Sequence, residues 1–251
     1  MNETDLHYYT SLEPFRLLFA TGVPILTYHK LGPRPRGVRL KGMYLSAELF
    51  RRQLAELRDA GFRSTGLQEV AGKDGNPGKQ VAITFDDGFA NVLEPGLAIL
   101  AENHFRATQF LVARFLGRTS EWQAGSGEVL ERLMDVSQVR EWLSAGHEIG
   151  SHTLTHPWLG SIPVAQAREE IGASRKLLED TFGVPVRHFC YPYGDWNPAI
   201  RDLVAEAGYQ TACTTAFGLN GADTSPRELR RITARYASRK LKILLRGWFG
   251  R

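Results

Sequence analysis

The chain has 251 residues, of which 43% are hydrophobic and 23% charged, and its formal net charge is +4. A chain of this length and composition can bury one large core without crosslinks, which excludes a disordered or fibrous protein. Its two cysteines form no Cys-x-x-Cys pair, which argues against a disulfide framework and against a thiolate zinc site.

Positive charge is concentrated at the C-terminal end. Residues 227–251 contain nine Lys or Arg and one acid, so residues 1–226 are mildly acidic. A nucleic-acid-binding protein would be expected to carry basic residues over its main domain, together with aromatic residues for base stacking or a known binding module. Because the sequence shows none of these features, we expect no nucleic-acid partner. The segment from residue 229, and the tail 233–251 in particular, interleaves basic with apolar residues. This predicts peripheral contact with an anionic membrane face or, alternatively, a final barrel helix with a solvated basic side.

Residues 1–22 are expected to form an N-terminal extension ahead of the main domain, residues 23–232. The start carries Glu3 and Asp5 and lacks the basic region and long apolar core of a secretory signal. The apolar stretch 15–23 is too short to span a bilayer. The sequence therefore predicts a cytoplasmic protein, with the inner face of the membrane as the location that the basic tail would favour.

Apolar runs typical of strands alternate with helical patterns from residue 23 to about residue 214. Strands are predicted at 23–28, 80–85, 107–113, 147–151, 187–191 and 209–214. Helices are predicted at 46–60, 91–103, 135–145, 163–182 and 198–207, the first with Ser46 as its N-cap. The alternation implies parallel βαβ units, and a total of about seven strands suits either a barrel or an open doubly wound sheet. The segments 32–42 and 117–127 are predicted loops, which either wall a substrate cleft or are solvated connections.

Two adjacent carboxylates, Asp86 and Asp87, follow the predicted strand 80–85. Burying such a pair at a strand end is costly unless a cation compensates the charge. Gly88 permits a tight turn, which would let both side chains reach one site. On its own, however, Asp-Asp-Gly is also a common turn sequence.

Two histidines, His152 and His156, follow the predicted strand 147–151. At i and i+4 their imidazoles would lie on one face of a helical turn, which is a spacing that lets both bind one metal. Two histidines with one carboxylate leave coordination positions open for water and substrate, as in catalytic sites. The sequence therefore predicts a catalytic metal site, with two incidental surface histidines as the alternative.

The motifs TFDDG at 84–88 and SHTLTH at 151–156 resemble the first two motifs of the polysaccharide deacetylases, carbohydrate esterase family 4. The sequence FCYPYG at 189–194 resembles the third motif in its Pro-Tyr-Gly half. The pattern is closest to members like the poly-N-acetylglucosamine deacetylases, which share a first-strand ending like TYH at 27–29. The resemblance covers about 25–232 and implies a single-domain α/β fold, the distorted (β/α)7 barrel, which agrees with the strand count. It also implies metal-dependent removal of an N-acetyl group from a sugar in a polysaccharide or glycan precursor.

The resemblance also implies roles for individual residues. Asp86 would be the catalytic base, and Tyr193 would line the oxyanion site. A divalent metal, zinc or alternatively cobalt or nickel, would be bound by Asp87, His152 and His156. The candidates for contact with the carbohydrate are Pro192, Asp195, which could bind sugar hydroxyls, and Trp196, which could stack on a sugar face. A simple turn with a cap for the next helix is the alternative for 195–196.

The chain departs from the family pattern at two positions. Cys190 stands where many members carry an arginine that pairs with the base, so Asp86 is expected to lack this partner. The late Leu-x-His that usually supplies the general acid is also missing, because no histidine follows His188. His29 is our candidate for the acid, since it ends the first predicted strand, and a core or capping histidine is the alternative.

Two further functions remain open from the sequence. One is a small-molecule amide hydrolase of the deformylase or cyclic-amide type on the same fold. The other is a catalytically weak carbohydrate-binding protein, which the two departures from the family pattern would explain.

Overall fold

Parallel strands close into a seven-stranded barrel in the computed structural model, which describes residues 8–72 and 74–236. The strands within these ranges are β1 Ile25–Tyr28, β2 Lys30–Leu31, β3 Tyr44–Leu45, β4 Arg63–Ser64, β5 Gln80–Phe85, β6 Thr108–Leu111, β7 Glu148–Ser151, β8 His188–Cys190, β9 Thr211–Phe217 and β10 Leu229–Thr233. The α-helices are α1 Ala47–Asp59, α2 Leu93–Glu102, α3 Val136–Ser144, α4 Val164–Phe182 and α5 Pro198–Glu206.

Strand β1 closes the barrel because it pairs with two neighbours. On one side Leu26 is in register with Ile83 of β5, and on the other with Ile232 of β10. The remaining order runs β10-β9-β8-β7-β6-β5, and the short strand β4 adds to β5. This closure excludes the open doubly wound sheet and confirms the distorted (β/α)7 barrel.

Helices cover the outside of the barrel, so its strands are buried on both faces. All four residues of β1 and five of the six in β5 are buried. Helix α1 begins as predicted, since the backbone N–H of Leu49 donates to Ser46 Oγ at 3.2 Å. Within the described ranges, the structure contains no helix with the length and apolar character needed to cross a bilayer.

Strand β10 is a part of the barrel that the sequence pattern did not predict. Arg230 and Arg231 interrupt its apolar residues, so the segment shows neither an unbroken apolar run nor a strict alternation. In the structure Leu229, Arg231 and Ile232 are all buried. The membrane contact predicted for the tail falls mainly on residues 237–251, which lie outside the described residues.

Residues 8–22, which are the described part of the predicted N-terminal extension, pack onto the barrel. The backbone N–H of Tyr9 donates to the backbone oxygen of Thr233, the last residue of β10. At the other end of the segment, the backbone oxygen of Ala20 accepts from the N–H of Asn76, which lies shortly before the start of β5. The segment therefore runs along the barrel from one end to the other. Its buried side chains in the hydrophobic core are Tyr9, Leu12, Phe15 and Phe19.

Candidate active site

The two carboxylates lie in a tight turn at the C-terminal end of β5. Asp87 has a left-handed backbone with φ of 73°, and Gly88 follows with φ of 79°. A side chain at position 88 would also be crowded, since its Cβ would lie 3.0 Å from Leu111 Cδ2. The two successive left-handed residues turn the chain so that Asp86 and Asp87 both reach the same cavity.

Asp87 lies against the two histidines that the sequence singled out. Its Oδ1 is 3.4 Å from His152 Nε2 and 3.2 Å from His156 Nε2, and all three side chains are buried. Burial alone would raise the pKa of Asp87, but its hydrogen bonds to His152 and His156 outweigh burial and hold the pKa well below its usual value. One carboxylate oxygen and two imidazole nitrogens within 4.8 Å of one another fit a divalent metal such as zinc.

A backbone carbonyl group fixes the orientation of the His152 ring. Its Nδ1 lies 2.7 Å from the backbone oxygen of Cys190. Because a carbonyl oxygen can only accept, Nδ1 carries a proton. When Nε2 gives up the proton that it shares with Asp87, the neutral ring keeps its proton on Nδ1 and has a free lone pair on Nε2. This is the tautomer that a metal ligand needs.

The two histidines do not lie on a helical turn, so that expectation is wrong. Residues 152–156 form an irregular loop in which Thr153 and His156 have left-handed backbones, with φ of 70° and 65°. The loop is held by Glu170 of α4, whose carboxylate accepts from the N–H groups of Leu154 and Thr155, both at 2.9 Å. The imidazoles converge because of this loop conformation and not because of helical spacing.

Asp86 has an arginine partner, contrary to the expectation drawn from Cys190. Arg231 of β10 donates from Nη1 to Asp86 Oδ1 and from Nη2 to Oδ2, both at 2.8 Å. Its Nε donates to Thr214 O at 2.8 Å, which fixes the plane of the guanidinium. Burial alone would raise the pKa of Asp86, but the Arg231 charge outweighs it and lowers the pKa, so the carboxylate is ionised at neutral pH.

Cys190 fills the space beside this ion pair. Its Sγ lies 3.1 Å from Arg231 Nη2 and 3.7 Å from Asp86 Oδ2. Burial raises the pKa of the thiol to about 11, so it is neutral. Asp86, His152 and Cys190 also lie within 4.8 Å of one another, but the guanidinium already occupies the carboxylate and touches the sulfur. The second cluster is therefore a poor cation site.

His29 follows β1 and faces the same cavity as Asp86. Its Nε2 lies 3.9 Å from Asp86 Oδ2, which is beyond hydrogen-bonding distance, and its side chain is partly exposed. Burial lowers the pKa of His29, against the opposing effect of the carboxylates of Asp86 and Asp87. When protonated, it is therefore a stronger acid than free imidazole.

The cavity over these residues has a volume of about 180 Å³. Both predicted loops line it, with Leu40 close to the end of one and Trp122 in the other. The indole of Trp122 stacks on His156, with ring centroids 4.7 Å apart and an interplanar angle of 19°. The loops therefore wall the cleft, as one of the two interpretations of their sequences had it.

Tyr193 lines the cavity from the third motif. Its backbone is left-handed, with φ of 60°, and its ring meets His156 edge-on at a centroid distance of 4.5 Å. Burial raises the pKa of its phenol to about 12, with Asp87 adding to the shift, so the hydroxyl keeps its proton at neutral pH.

The three residues expected to contact carbohydrate lie outside the lining of this cavity. Pro192 is buried, and Asp195 Oδ2 accepts from the backbone N–H of Gly160 at 2.7 Å. Trp196 is half-buried and stacks on Tyr191 at a centroid distance of 5.8 Å. The structure thus assigns Asp195 and Trp196 contacts within the protein.

Sequence reasoning missed two residues beside the site. Arg231 lies in a basic segment of the sequence. In the structure its burial and its ion pair with Asp86 distinguish it from the neighbouring arginines. Trp158 follows the histidine motif and stacks on Tyr193. Its place directly after His156-Pro157 is the one signal in the sequence that could have singled it out.

Comparison with known proteins identifies the family. The family model described as polysaccharide deacetylase matches residues 73–212, which is more than half of the chain. The chain therefore belongs to the polysaccharide deacetylase family, which confirms the resemblance in its motifs. Members of this family are hydrolases.

Individual relatives and solved structures are also similar to this chain, in sequence or in fold. The chain is 24% identical over 214 residues to the putative polysaccharide deacetylase YxkH of Bacillus subtilis, covering 84% of this chain and 70% of YxkH. The deacetylase PplD of Streptococcus pyogenes, solved in complex with acetate, superposes with a TM-score of 0.74 at 21% identity, covering 89% of this chain and 97% of PplD. IcaB from Ammonifex degensii superposes with a TM-score of 0.72 at 24% identity, covering 91% and 97%. At these identities the two structures support the fold.

Proposed function

We propose that the chain is a metal-dependent hydrolase that removes an N-acetyl group from an N-acetylated sugar in a polysaccharide or a glycan precursor. The observation that carries the proposal is the convergence of Asp87, His152 and His156 beside an ionised Asp86 in one open cavity. When bound by these three residues, a divalent metal, zinc or else cobalt or nickel, supplies Lewis-acid chemistry at the acyl group.

Asp86 is the proposed general base. Its carboxylate takes the proton of the water that attacks the acyl carbon. Arg231 holds both of its oxygens, which fixes the direction of the carboxylate and keeps it ionised. A general base must be oriented as well as deprotonated, and the bidentate pair satisfies both requirements.

His29 and Tyr193 are proposed to complete the proton transfers and the oxyanion site. His29 borders the cavity close to Asp86, and its partial exposure lets it exchange protons with solvent. It would donate a proton to the leaving amine. The backbone N–H of Tyr193 would donate to the oxyanion of the tetrahedral intermediate.

Replacing the base tests the proposal. The purified protein would be stripped with chelator, reloaded with zinc, cobalt or nickel, and assayed for acetate and formate release from a panel of N-acetylated sugars and small amides. We expect metal-dependent acetate release that falls about 10²–10⁴-fold in Asp86→Asn, because a positioned base contributes that much. Asp223→Asn, at an exposed aspartate, is the control and should keep full activity.

Other outcomes would assign other functions. Formate release without acetate release would show a small-molecule amide hydrolase. Glycan binding without turnover would show a carbohydrate-binding protein. One reason for that alternative was the missing arginine partner of Asp86, and Arg231 supplies such a partner. If Asp87→Ala and His152→Ala kept the full metal content of the unmodified protein, the assignment of the metal ligands would be wrong.

A further inference from the structure

Two aromatic rings lie stacked and exposed at the rim of the cavity. Trp158 and Tyr193 are parallel, with an interplanar angle of 5° and centroids 4.0 Å apart. Trp158 is 52% exposed and Tyr193 is 42% exposed. Because large aromatic side chains are usually buried deeply, a stacked pair left in solvent beside a reaction site is unusual.

The pair continues a row of rings that begins at the candidate metal ligands. Tyr193 meets His156 edge-on on its inner side and Trp158 face-to-face on its outer side. The row therefore leads from the acyl-binding end of the cavity to the surface. A substrate that extended out of the cavity along this row would pass over Trp158.

The backbone turns that carry the two rings are in contact with each other. The turn that carries Trp158 is tied to the turn that carries Tyr193, because Gly160 N–H donates to Asp195 Oδ2 at 2.7 Å. The two turns also fit closely, since a Cβ at position 160 would lie 2.8 Å from Asp195 Oδ1. A surface organised before binding costs little entropy when a ligand settles on it.

The size of the cavity indicates what this surface would bind. Sites that enclose a whole drug-sized ligand measure about 300–1,000 Å³, whereas this cavity measures about 180 Å³. It can hold the reacting acyl group and part of one sugar, so the next unit of a longer substrate must lie outside. The outer face of a sugar ring carries C–H groups, which pack well on an aromatic face.

We infer that Trp158 and Tyr193 form the binding surface for the sugar unit next to the one that loses its acetyl group. The inference rests on the proposed function and deepens it, because it makes an oligomeric or polymeric N-acetylated glycan the preferred substrate. Trp158 is a specificity-determining residue in this scheme, and Asp195 positions it.

Kinetics on a length series test the inference. kcat/KM would be measured for an N-acetylated monosaccharide and for oligomers of the same sugar, using the unmodified protein, Trp158→Ala and Trp158→Phe. We expect the ratio of oligomer to monosaccharide kcat/KM to fall about tenfold in Trp158→Ala, mainly through KM, and to recover largely in Trp158→Phe. Leu177→Ala, at an exposed apolar residue of α4, should keep the ratio of the unmodified protein. An unchanged ratio in Trp158→Ala would overturn the inference.

A binding measurement separates this inference from the proposed function. Calorimetry would compare oligomer affinity in Asp86→Asn with that in the double variant Asp86→Asn/Trp158→Ala. If the unmodified protein deacetylated no sugar and yet the oligomer affinity fell about tenfold with Trp158→Ala, the surface would stand and the proposed function would fail. Equal affinities would refute the surface even in an active deacetylase.

Discussion

Asp86 and Arg231 form a buried, bidentate ion pair. Both side chains are buried, and the two parallel hydrogen bonds leave neither charge without a partner. Removing one partner from such a pair costs about 3–5 kcal/mol, since the other charge stays buried alone. An intact pair therefore makes two contributions: it keeps either charge from being buried alone, and it orients the base.

Arg231→Lys should separate these two contributions. Lysine keeps the positive charge but cannot donate to both carboxylate oxygens in one plane. We expect the fold to survive and kcat to fall about 10–100-fold with metal content unchanged, because the base loses its fixed direction. Metal analysis, thermal unfolding and steady-state kinetics would be measured together, with Arg230→Lys on the exposed side of β10 as the control. A normal kcat in Arg231→Lys would show that the base does not need the guanidinium.

At the scale of elements, the loop after β7 depends on the helix that follows it, α4. Glu170 of α4 accepts three hydrogen bonds from this loop, from the N–H groups of Leu154 and Thr155 at 2.9 Å and from Thr155 Oγ1 at 2.6 Å. These bonds satisfy backbone groups in a loop with two strained left-handed residues. Helix α4 thereby sets the geometry of the two histidines without touching the candidate metal position.

Glu170→Gln should weaken metal binding. The amide retains one accepting oxygen, so the loop keeps part of its support but loses the charge and the second acceptor. Outer residues that orient metal ligands typically contribute 10–100-fold in metal affinity, and we expect zinc affinity to fall by about that factor. Competition with a chromogenic chelator measures it, and Glu169→Gln, at the exposed neighbouring position, is the control. Equal zinc affinities in the two variants would show that the loop holds its shape without Glu170.

Within the described ranges, local pattern predicted the five α-helices and six of the seven barrel strands, but it did not predict contacts between distant segments. The strand Gln80–Phe85 and the cap at Ser46 follow from short-range rules of burial and hydrogen bonding. The ion pair of Arg231 joins residues 145 positions apart, and no periodicity encodes such a pairing. The histidine loop shows the opposite problem, because a spacing typical of helices occurs there in a loop whose conformation depends on Glu170.

At the scale of the whole molecule, residues 8–22 belong to the folded unit. The ring of Phe19 is completely buried and meets Phe62 edge-on at a centroid distance of 5.9 Å. Tyr9 stacks on the same ring at 5.8 Å. The segment therefore seals one side of the barrel with a continuous aromatic cluster.

Phe19→Ala should destabilise the whole fold. Deleting a buried phenylalanine typically costs about 3–5 kcal/mol, from lost apolar burial and from the cavity left behind. Urea unfolding would measure the free energy of unfolding, and Leu17→Ala, two residues away and 86% exposed, should change it by less than about 0.5 kcal/mol. Similar values for the two variants would mean that the segment does not unfold together with the barrel.

The position of Arg231 on the last barrel strand has a consequence for synthesis. A ribosome delivers Asp87, His152 and His156 well before it delivers β10, so Asp86 lacks its partner until the last barrel strand has been made. A chain cut short before Leu229 would carry every proposed metal ligand but would lack both the strand that closes the barrel and the arginine that orients the base. A prematurely terminated product would therefore lack the oriented base that the proposed hydrolysis requires.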